Sequence, residues 1–167
     1  TKPYYSINSS MNNLQYFFFR EKIRINNLRL RSTYKKFCVN PDYNKKYLYF
    51  AASYQPEATT FTTGVYQDFF LVLDILSSVI PSDWIIYFKE HPGTFIDGSS
   101  RYSTLVRDKY YYQKVNSYDN IQMVPSEVET FSLIDNAQAV ATVSGTVAWE
   151  AAVRGKPSLS FGSAWYM

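Results

Sequence analysis

Three polar stretches of this chain hold the residues best suited to chemistry, and each comes after a predicted strand. They are Ser53-Tyr54-Gln55-Pro56-Glu57, His91-Pro92-Gly93 and Ser144-Gly145-Thr146. If the strands are parallel, their carboxyl ends meet at one edge of the sheet, where ligands bind in folds of this class. The sequence therefore predicts that the three stretches form one binding edge.

Ser144-Gly145-Thr146 has the composition of a phosphate-binding loop, and a predicted helix follows it. The free main-chain N–H groups at the start of a helix attract anions, glycine permits close approach, and two hydroxyls can donate hydrogen bonds. Simple N-capping of the helix by Ser144 would explain the same residues without a ligand. Both interpretations stay open.

His91 is the only histidine of the chain and precedes Pro92 at a predicted strand end. A histidine held there can donate a hydrogen bond to a phosphate or protonate a leaving group. A purely structural histidine is the alternative. We therefore treat His91 as a candidate for both catalysis and ligand binding.

Two carboxylates complete the candidate set. Glu57, in a polar loop, is the candidate catalytic base, although an exposed loop carboxylate needs no function. Glu150 lies in an otherwise apolar helix, where a carboxylate needs a partner such as the hydroxyls of a ribose. The chain lacks Gly-x-Gly-x-x-Gly and Walker patterns, and its single histidine and single cysteine give no metal-ligand spacing.

The elements that position these residues alternate from residue 46 onward. Apolar runs predict strands at 47–52, 84–89, 121–124, 139–143 and 157–161. Helices are predicted at 69–80, 102–115, 126–136 and 146–154, with Ser126 and Glu129 in capping-box spacing and Gly155 as a C-cap. The last helix is apolar nearly all round, which is typical of a buried helix. Strands separated by single helices require right-handed crossovers, so we predict an α/β fold, a Rossmann-like parallel sheet with helices on both faces.

Composition supports a folded domain, since 46% of the 167 residues are hydrophobic and 19% are aromatic. The lone Cys38 cannot form an internal disulfide, and no apolar run reaches membrane-spanning length. These features favour a cytoplasmic protein. Because the chain starts without Met and stops directly after a strand-like run, we also expect a fragment of a longer protein, truncated at its C-terminus.

Residues 11–37 are predicted to be a helix with an apolar face that carries Leu14, Phe17, Phe18, Ile25 and Leu28. Between residues 20 and 36 there are seven bases and one acid, Glu21. Such a segment suits an anionic membrane, nucleic acid or a phosphorylated substrate, although a solvated helix face is the plain alternative. We divide the chain into a basic, aromatic-rich linker region, 1–45, and the α/β domain, 46–167.

Several motifs taken in order resemble the capsule polysaccharide biosynthesis family, which includes the bacterial Kdo transferases of capsule assembly. They are Tyr54-Gln55-Pro56-Glu57-Ala58-Thr59, Lys89-Glu90-His91-Pro92, Ser144-Gly145-Thr146 with Trp149-Glu150-Ala151, Gly155-Lys156-Pro157, and Phe161-Gly162 with Trp165-Tyr166. The resemblance implies the donor-binding, C-terminal half of a GT-B glycosyltransferase, with the acceptor half missing from this chain.

The resemblance also implies roles for individual residues. A nucleotide-sugar donor, such as CMP-Kdo, would be bound by a set of residues in which the histidine and the two hydroxyls contact phosphate and the glutamate holds the nucleotide: His91, Pro92, Ser144, Gly145, Thr146 and Glu150. The sequence has Ser-Gly-Thr where similar sialyltransferase-type enzymes have adjacent hydroxyl residues. The catalytic candidates are Glu57 and His91.

The family resemblance further implies transfer without a metal or other cofactor, a glycan or glycolipid acceptor, and peripheral contact of the basic helix with an anionic cytoplasmic membrane, but no nucleic-acid partner. Two other functions remain open. One is a sugar-nucleotide epimerase, which resembles GT-B enzymes in fold. The other is a non-enzymatic module in which the basic, tyrosine-rich chain binds nucleic acid or a membrane surface.

Overall fold

A computed structural model of the chain describes residues 12–55, 66, 68–95, 106–162 and 166. Within these residues five parallel strands form one sheet in the order β3-β2-β1-β4-β5. The strands are β1 (Tyr47–Ala51), β2 (Ile85–Lys89), β3 (Ile121–Val124), β4 (Ala139–Thr142) and β5 (Ser158–Ser160). The helices are α1 (Asn13–Phe37), α2 (Phe69–Val79), α3 (Lys109–Asn116), α4 (Thr130–Asn136) and α5 (Val147–Val153), with a 3-10 turn at Pro92–Phe95.

The central strand β1 is buried along its whole length and separates two apolar cores. Leu48 and Phe50 enter one core, whereas Tyr47 and Tyr49 enter the other, as the two-residue period of a strand requires. The first core lies against α1, α2 and α3, and the second against α4 and α5. This arrangement confirms the predicted parallel α/β sheet with helices on both faces.

The C-terminal half of α1 is tied firmly to the sheet. Leu30 and Tyr34 are buried in the first core, and the Tyr34 ring packs 5.0 Å from that of Tyr112 between centroids. The Tyr34 hydroxyl donates to the carbonyl of Val124, at the end of β3, at 2.5 Å and accepts the N–H of Glu90, just beyond β2, at 3.0 Å. Thus α1 supplies a hydrogen-bonding group between the ends of two neighbouring strands.

The apolar face predicted for α1 exists, but it points away from the domain. Leu14, Phe17 and Phe18 are each more than half exposed, and Ile25 and Leu28 are also exposed. The buried face consists of Asn27, Leu30 and Tyr34. We call the exposed set of Leu14, Phe17, Phe18, Ile25 and Leu28 the outer face of α1.

Three helix predictions need correction. The helix predicted from Ser126 begins at Thr130, because the carboxylate of Glu129 caps it by accepting two main-chain N–H groups, while the Ser126 hydroxyl bonds to Glu127 instead. The helix predicted at 102–115 is interrupted at Arg107 and Asp108, and α3 begins only at Lys109, with Asp108 as its N-cap; residues 102–105 lie outside the described residues. Finally, α5 is not fully buried: Ala148 and Ala151 are its buried residues, and Trp149 and Val153 are exposed.

Candidate functional site

A cavity of about 380 Å³ lies at the carboxyl ends of β1, β2 and β4. Its described lining includes residues from all three predicted stretches, namely Ser53, Tyr54, His91, Gly93, Ser144, Gly145 and Thr146, and it also includes Thr142 and Val147. We call it the β1–β4 cavity. The structure therefore brings His91 and the Ser-Gly-Thr loop, which lie more than fifty residues apart in the chain, to one concave surface.

The floor of this cavity is cross-linked by hydroxyl groups. The Thr142 hydroxyl donates at 2.9 Å to the carbonyl of Ala51 and also contacts that of Ser144 at 2.9 Å. Ser53 bonds to the main chain of Ser144. Because these groups are buried, the ends of β1 and β4 are held at a fixed separation, and the loop above them has a rigid base.

The φ angle of Gly145 is 114°, a backbone conformation that residues with a side chain rarely adopt. A Cβ atom built at this position would meet no atom within 4 Å. The glycine is thus required by its backbone conformation, and the space beside it is open to the cavity. That Gly145 permits the close approach of a ligand stays a prediction.

Thr146, rather than Ser144, is the N-cap residue of α5, and its side chain makes no capping hydrogen bond. Instead the Thr146 hydroxyl donates to the carboxylate of Glu150 at 2.6 Å. A carboxylate in an otherwise apolar helix needs a hydrogen-bond partner, and the Thr146 hydroxyl is that partner. Glu150 is not part of the described cavity lining but reaches it through Thr146, so its nucleotide-binding role stays a prediction.

The imidazole of His91 stands exposed at the rim of the β1–β4 cavity, beside Tyr54, with 6.1 Å between ring centroids. Its Nδ1 atom accepts the N–H of Gly93 at 3.0 Å. In a neutral imidazole, the nitrogen that accepts a hydrogen bond carries no proton, so the proton of the neutral ring lies on Nε2. In its neutral form His91 can therefore donate a hydrogen bond through Nε2.

Pro92 lines a neighbouring cavity of about 440 Å³, the β2–β3 cavity, together with Arg31, Lys89, Ser126 and Glu127 among others. Lys89 is nearly fully buried, and its Nζ donates to the carbonyl of Val128 at 2.5 Å and to the hydroxyl of Thr130 at 2.7 Å. Burial lowers the pKa of Lys89 below its usual value. Pro92 thus lies between the two cavities rather than inside the one that holds His91.

Glu57, the candidate catalytic base, lies outside the described residues, and its role stays a prediction. The sequence reasoning did not single out Thr142, nor the buried Glu90 and Arg107 that lie behind His91. The Lys-Glu-His-Pro motif shows a carboxylate next to the candidate histidine, but neither its burial nor its partners. Among the described residues, no group of three or more His, Cys, Asp or Glu side chains is placed to hold a metal ion.

The chain was compared with known protein families, curated proteins and solved structures. The family model for "Capsule polysaccharide biosynthesis protein" matches residues 11–167. The chain belongs to this family. The match includes the α1 segment as well as the α/β domain, and thus extends further than the motifs that carry the resemblance. A search of the curated proteins gave no match.

One solved structure supports the fold of this capsule-family chain. KpsC of Thermosulfurimonas dismutans, a beta Kdo 2,7 transferase, matches with a TM-score of 0.52 and 16% identity over 96% of this chain and 46% of its own. A UDP-GlcNAc 2-epimerase from Methanocaldococcus jannaschii matches with a TM-score of 0.49 and 17% identity, over 83% of this chain and 35% of its own. The chain thus spans less than half the length of either protein.

None of the helices in the described part of the chain combines the length and the apolar character that a membrane span requires.

Proposed function

We propose that this chain is the nucleotide-sugar-binding part of a GT-B glycosyltransferase that acts in capsule or surface polysaccharide synthesis. The observation that carries the proposal is the β1–β4 cavity, which joins His91 to the Ser-Gly-Thr loop in a member of the capsule family. We place the donor phosphates in this cavity, in contact with Nε2 of His91 and with the main chain around Gly145.

The hydrogen-bonding groups and the geometry of the cavity suit a phosphate ester. An oxyanion needs hydrogen-bond donors that are already oriented, because reorganising them during the reaction would cost free energy. Nε2 of His91 is one such donor, and the loop at Gly145 presents main chain to open space. In a transferase, the same groups would stabilise the negative charge that develops on the leaving phosphate.

We propose a CMP-activated acid sugar such as Kdo as the donor, and a glycan or glycolipid as the acceptor. The support is family membership, together with the similarity in fold to a Kdo transferase. The catalytic base and the acceptor site belong to the proposal as well, with Glu57 as the candidate within this chain. We also propose that transfer needs no bound metal, and that EDTA leaves it unchanged.

Titration calorimetry of the 167-residue chain tests this function, with CMP, CMP-Kdo and UDP-GlcNAc as ligands. We expect CMP and CMP-Kdo to bind, and His91→Ala to weaken binding about tenfold or more, since a hydrogen bond to a charged group contributes about 1.5–3 kcal/mol. Gln113→Ala, on the exposed side of α3, is the control and should bind as the unchanged chain does. Absence of binding for all three nucleotides would refute the assignment.

Product analysis separates the enzyme classes. The assay uses the full-length protein, since the acceptor half is expected to lie outside this chain. When a CMP- or UDP-sugar is incubated with that protein and an acceptor, release of free CMP or UDP together with a lengthened glycan identifies a transferase. An isomerised sugar nucleotide, with no acceptor consumed, would identify an epimerase instead.

We further propose that the outer face of α1 contacts an anionic membrane surface. Leu14, Phe18 and Ile25 lie four and seven residues apart, so they share one side of the helix, and basic residues such as Lys22 and Arg29 lie next to them. A helix with exposed apolar residues flanked by bases binds in the plane of an anionic bilayer surface. Acceptors attached to lipid would then lie near the domain.

Vesicle sedimentation tests this contact. We expect the chain to bind vesicles that contain phosphatidylglycerol, to bind pure phosphatidylcholine more weakly, and to lose affinity at high salt. Phe17→Ser/Phe18→Ser should reduce binding, whereas Leu71→Ser/Val79→Ser, which removes exposed apolar residues from α2, should not. Equal loss in both double variants would contradict a specific role for α1.

A further inference from the structure

We propose that Glu90 and Gly93 are positioning residues for His91: the Glu90 carboxylate fixes the main chain of the turn, and the Gly93 N–H fixes the tautomer and orientation of the ring. The inference deepens the candidate site, and it rests on the proposed function only for the identity of the ligand. Neither residue was assigned a role on sequence grounds.

Glu90 is fully buried, and both of its carboxylate oxygens accept hydrogen bonds. Oε1 accepts the N–H of His91 at 3.2 Å and the hydroxyl of Thr94 at 3.3 Å. Oε2 accepts Nε of Arg107 at 2.9 Å and the hydroxyl of Tyr112 at 3.1 Å. The carboxylate therefore joins the turn that follows β2 to α3 and to the segment that precedes α3.

The ion pair between Glu90 and Arg107 is buried on both sides, with side chains 0% and 2% exposed. Replacement of such a pair by well-packed apolar residues is often neutral or stabilising, so its presence is weak evidence of a role in stability. The pair instead helps to orient the turn. Four donors, from the turn after β2, the segment before α3 and α3 itself, converge on one carboxylate, and one of them is the main-chain N–H of His91. Arg107 extends the network to the loop after β1, because its Nη1 donates to Oε1 of Gln55 at 2.7 Å.

Gly93 acts on the imidazole itself. Its N–H donates to Nδ1 of His91, and the turn closes with a hydrogen bond from the N–H of Thr94 to the carbonyl of His91 at 2.9 Å. A Cβ atom at Gly93 would lie 2.9 Å from Nδ1 and 3.1 Å from Cε1 of that ring. Any larger residue would force the imidazole to move, although the backbone of Gly93 is not among the described positive-φ glycines and tolerates alanine.

The contact between Gly93 and the imidazole suggests a variant that changes the orientation of His91 without affecting the folding of the domain. Gly93→Ala displaces only the end of an exposed side chain, so the domain should keep its stability while His91 loses its preferred orientation. Glu90→Gln tests the other half of the network, and since it leaves Arg107 buried without a carboxylate, it can fail to fold. Thr94→Val is the milder companion, because it removes one donor to the same carboxylate.

Because the chain contains one histidine, nitrogen-15 NMR of histidine-labelled protein reports His91 without assignment. At pH 8, with no ligand present, we expect the Nε2–H tautomer to dominate. Gly93→Ala should shift the tautomer ratio by about two- to tenfold, as loss of one hydrogen bond implies, with an unchanged melting temperature. Gly155→Ala, far from the turn, is the glycine control and should leave the ratio unchanged.

A dominant Nδ1–H tautomer in the unchanged chain, or an unaltered ratio in Gly93→Ala, would overturn the Gly93 assignment. An unaltered His91 spectrum in both Thr94→Val and folded Glu90→Gln would overturn that of Glu90. Titration with CMP and with inorganic phosphate forms a separate arm: we expect Gly93→Ala to weaken CMP binding about three- to tenfold, as a lost hydrogen bond implies. If CMP and phosphate leave the spectrum of the unchanged chain unperturbed, the nucleotide function fails while the tautomer result still decides the positioning roles.

Discussion

The hydroxyl of Ser53 accepts the main-chain N–H of Ser144 at 3.1 Å and donates to the carbonyl of the same residue. One side chain from the end of β1 thereby bonds to both main-chain groups of a residue at the end of β4. Since Ser144 opens the Ser-Gly-Thr loop, this pair sets the position of the loop relative to the centre of the sheet.

Ser53→Ala is expected to lower the free energy of unfolding by about 1–3 kcal/mol, because a buried N–H and a buried carbonyl each lose a partner. Urea unfolding measures this change, and titration calorimetry should record weaker CMP binding as the loop loosens. Ser78→Ala is the control, since that exposed hydroxyl bonds only within its own helix, to the carbonyl of Ile75. Equal stability of the two variants would contradict the role of Ser53.

Gly145→Ala is expected to destabilise the chain by about 1–3 kcal/mol, the usual cost of a side chain in a disfavoured backbone region. Gly155 is a matched control, because its φ of 72° is also positive and the space around it is also open. Both alanine variants should lose stability in thermal unfolding, but CMP affinity should fall only for Gly145→Ala. A loss of affinity in both would show that the effect is global.

Glu127 links α1 to the loop after β3. Its hydrogen bond with Arg31, and to a smaller extent that with Lys35, lowers its pKa from 4.5 to about 2. A lowered carboxyl pKa adds stability above the unfolded-state value, and that stability disappears as the pH falls from 4.5 towards 2. The contribution should stay below about 1 kcal/mol, since the pair is solvent-exposed. Urea unfolding at pH 5 and pH 3 should therefore give a smaller loss for Glu127→Gln than for the unchanged chain.

Cys38 should be a poor nucleophile in the folded chain. Burial, above all, raises the pKa of its thiol from 9.0 to about 12, and the S–H group donates to the carbonyl of Tyr34 at 3.3 Å. At pH 8 we expect its reaction with a disulfide reagent such as DTNB to be slower than that of free cysteine by about tenfold or more, because the thiolate is the reactive form. Unfolding in urea should restore the rate, and fast labelling without urea would contradict the burial of this residue.

The sheet was predictable because its strands are short apolar runs between turn residues. The prediction for 121–124 coincides with β3, and that for 47–52 differs from β1 by one residue. Because the strands alternate with single helices, right-handed crossovers between them then predict a parallel sheet. The placement of His91 and Ser144 at one cavity follows from that topology.

Two features could not be predicted for a different reason, namely that two sets of residues in the sequence matched the same rule. Ser126 and Glu129 match the capping-box spacing, yet either type of side chain can cap a helix, and Glu129 does so. Along α1 two sets of residues have helical spacing, and the bulkier apolar set, which includes Phe17 and Phe18, is the one left exposed. Local patterns cannot decide which side of a helix the rest of the domain covers.

The network behind His91 had no local pattern to reveal it. Glu90 and Arg107 lie seventeen residues apart, in segments on either side of residues that the structure does not describe. Their pairing depends on how α3 returns to the sheet, which only the tertiary structure determines. The sequence could indicate that His91 matters, but not what orients it.

The Tyr34 hydroxyl has a consequence for how distant parts of the chain influence each other. It connects a helix whose opposite side is exposed to the N–H of Glu90, one residue before His91. If binding of α1 to a surface restrains Tyr34, that binding favours the arrangement of the turn in which His91 can bind a ligand. By thermodynamic reciprocity, a ligand at His91 then strengthens the hold of that surface on α1 by the same factor. A single phenolic oxygen could thus couple occupancy of the cavity to attachment of the helix.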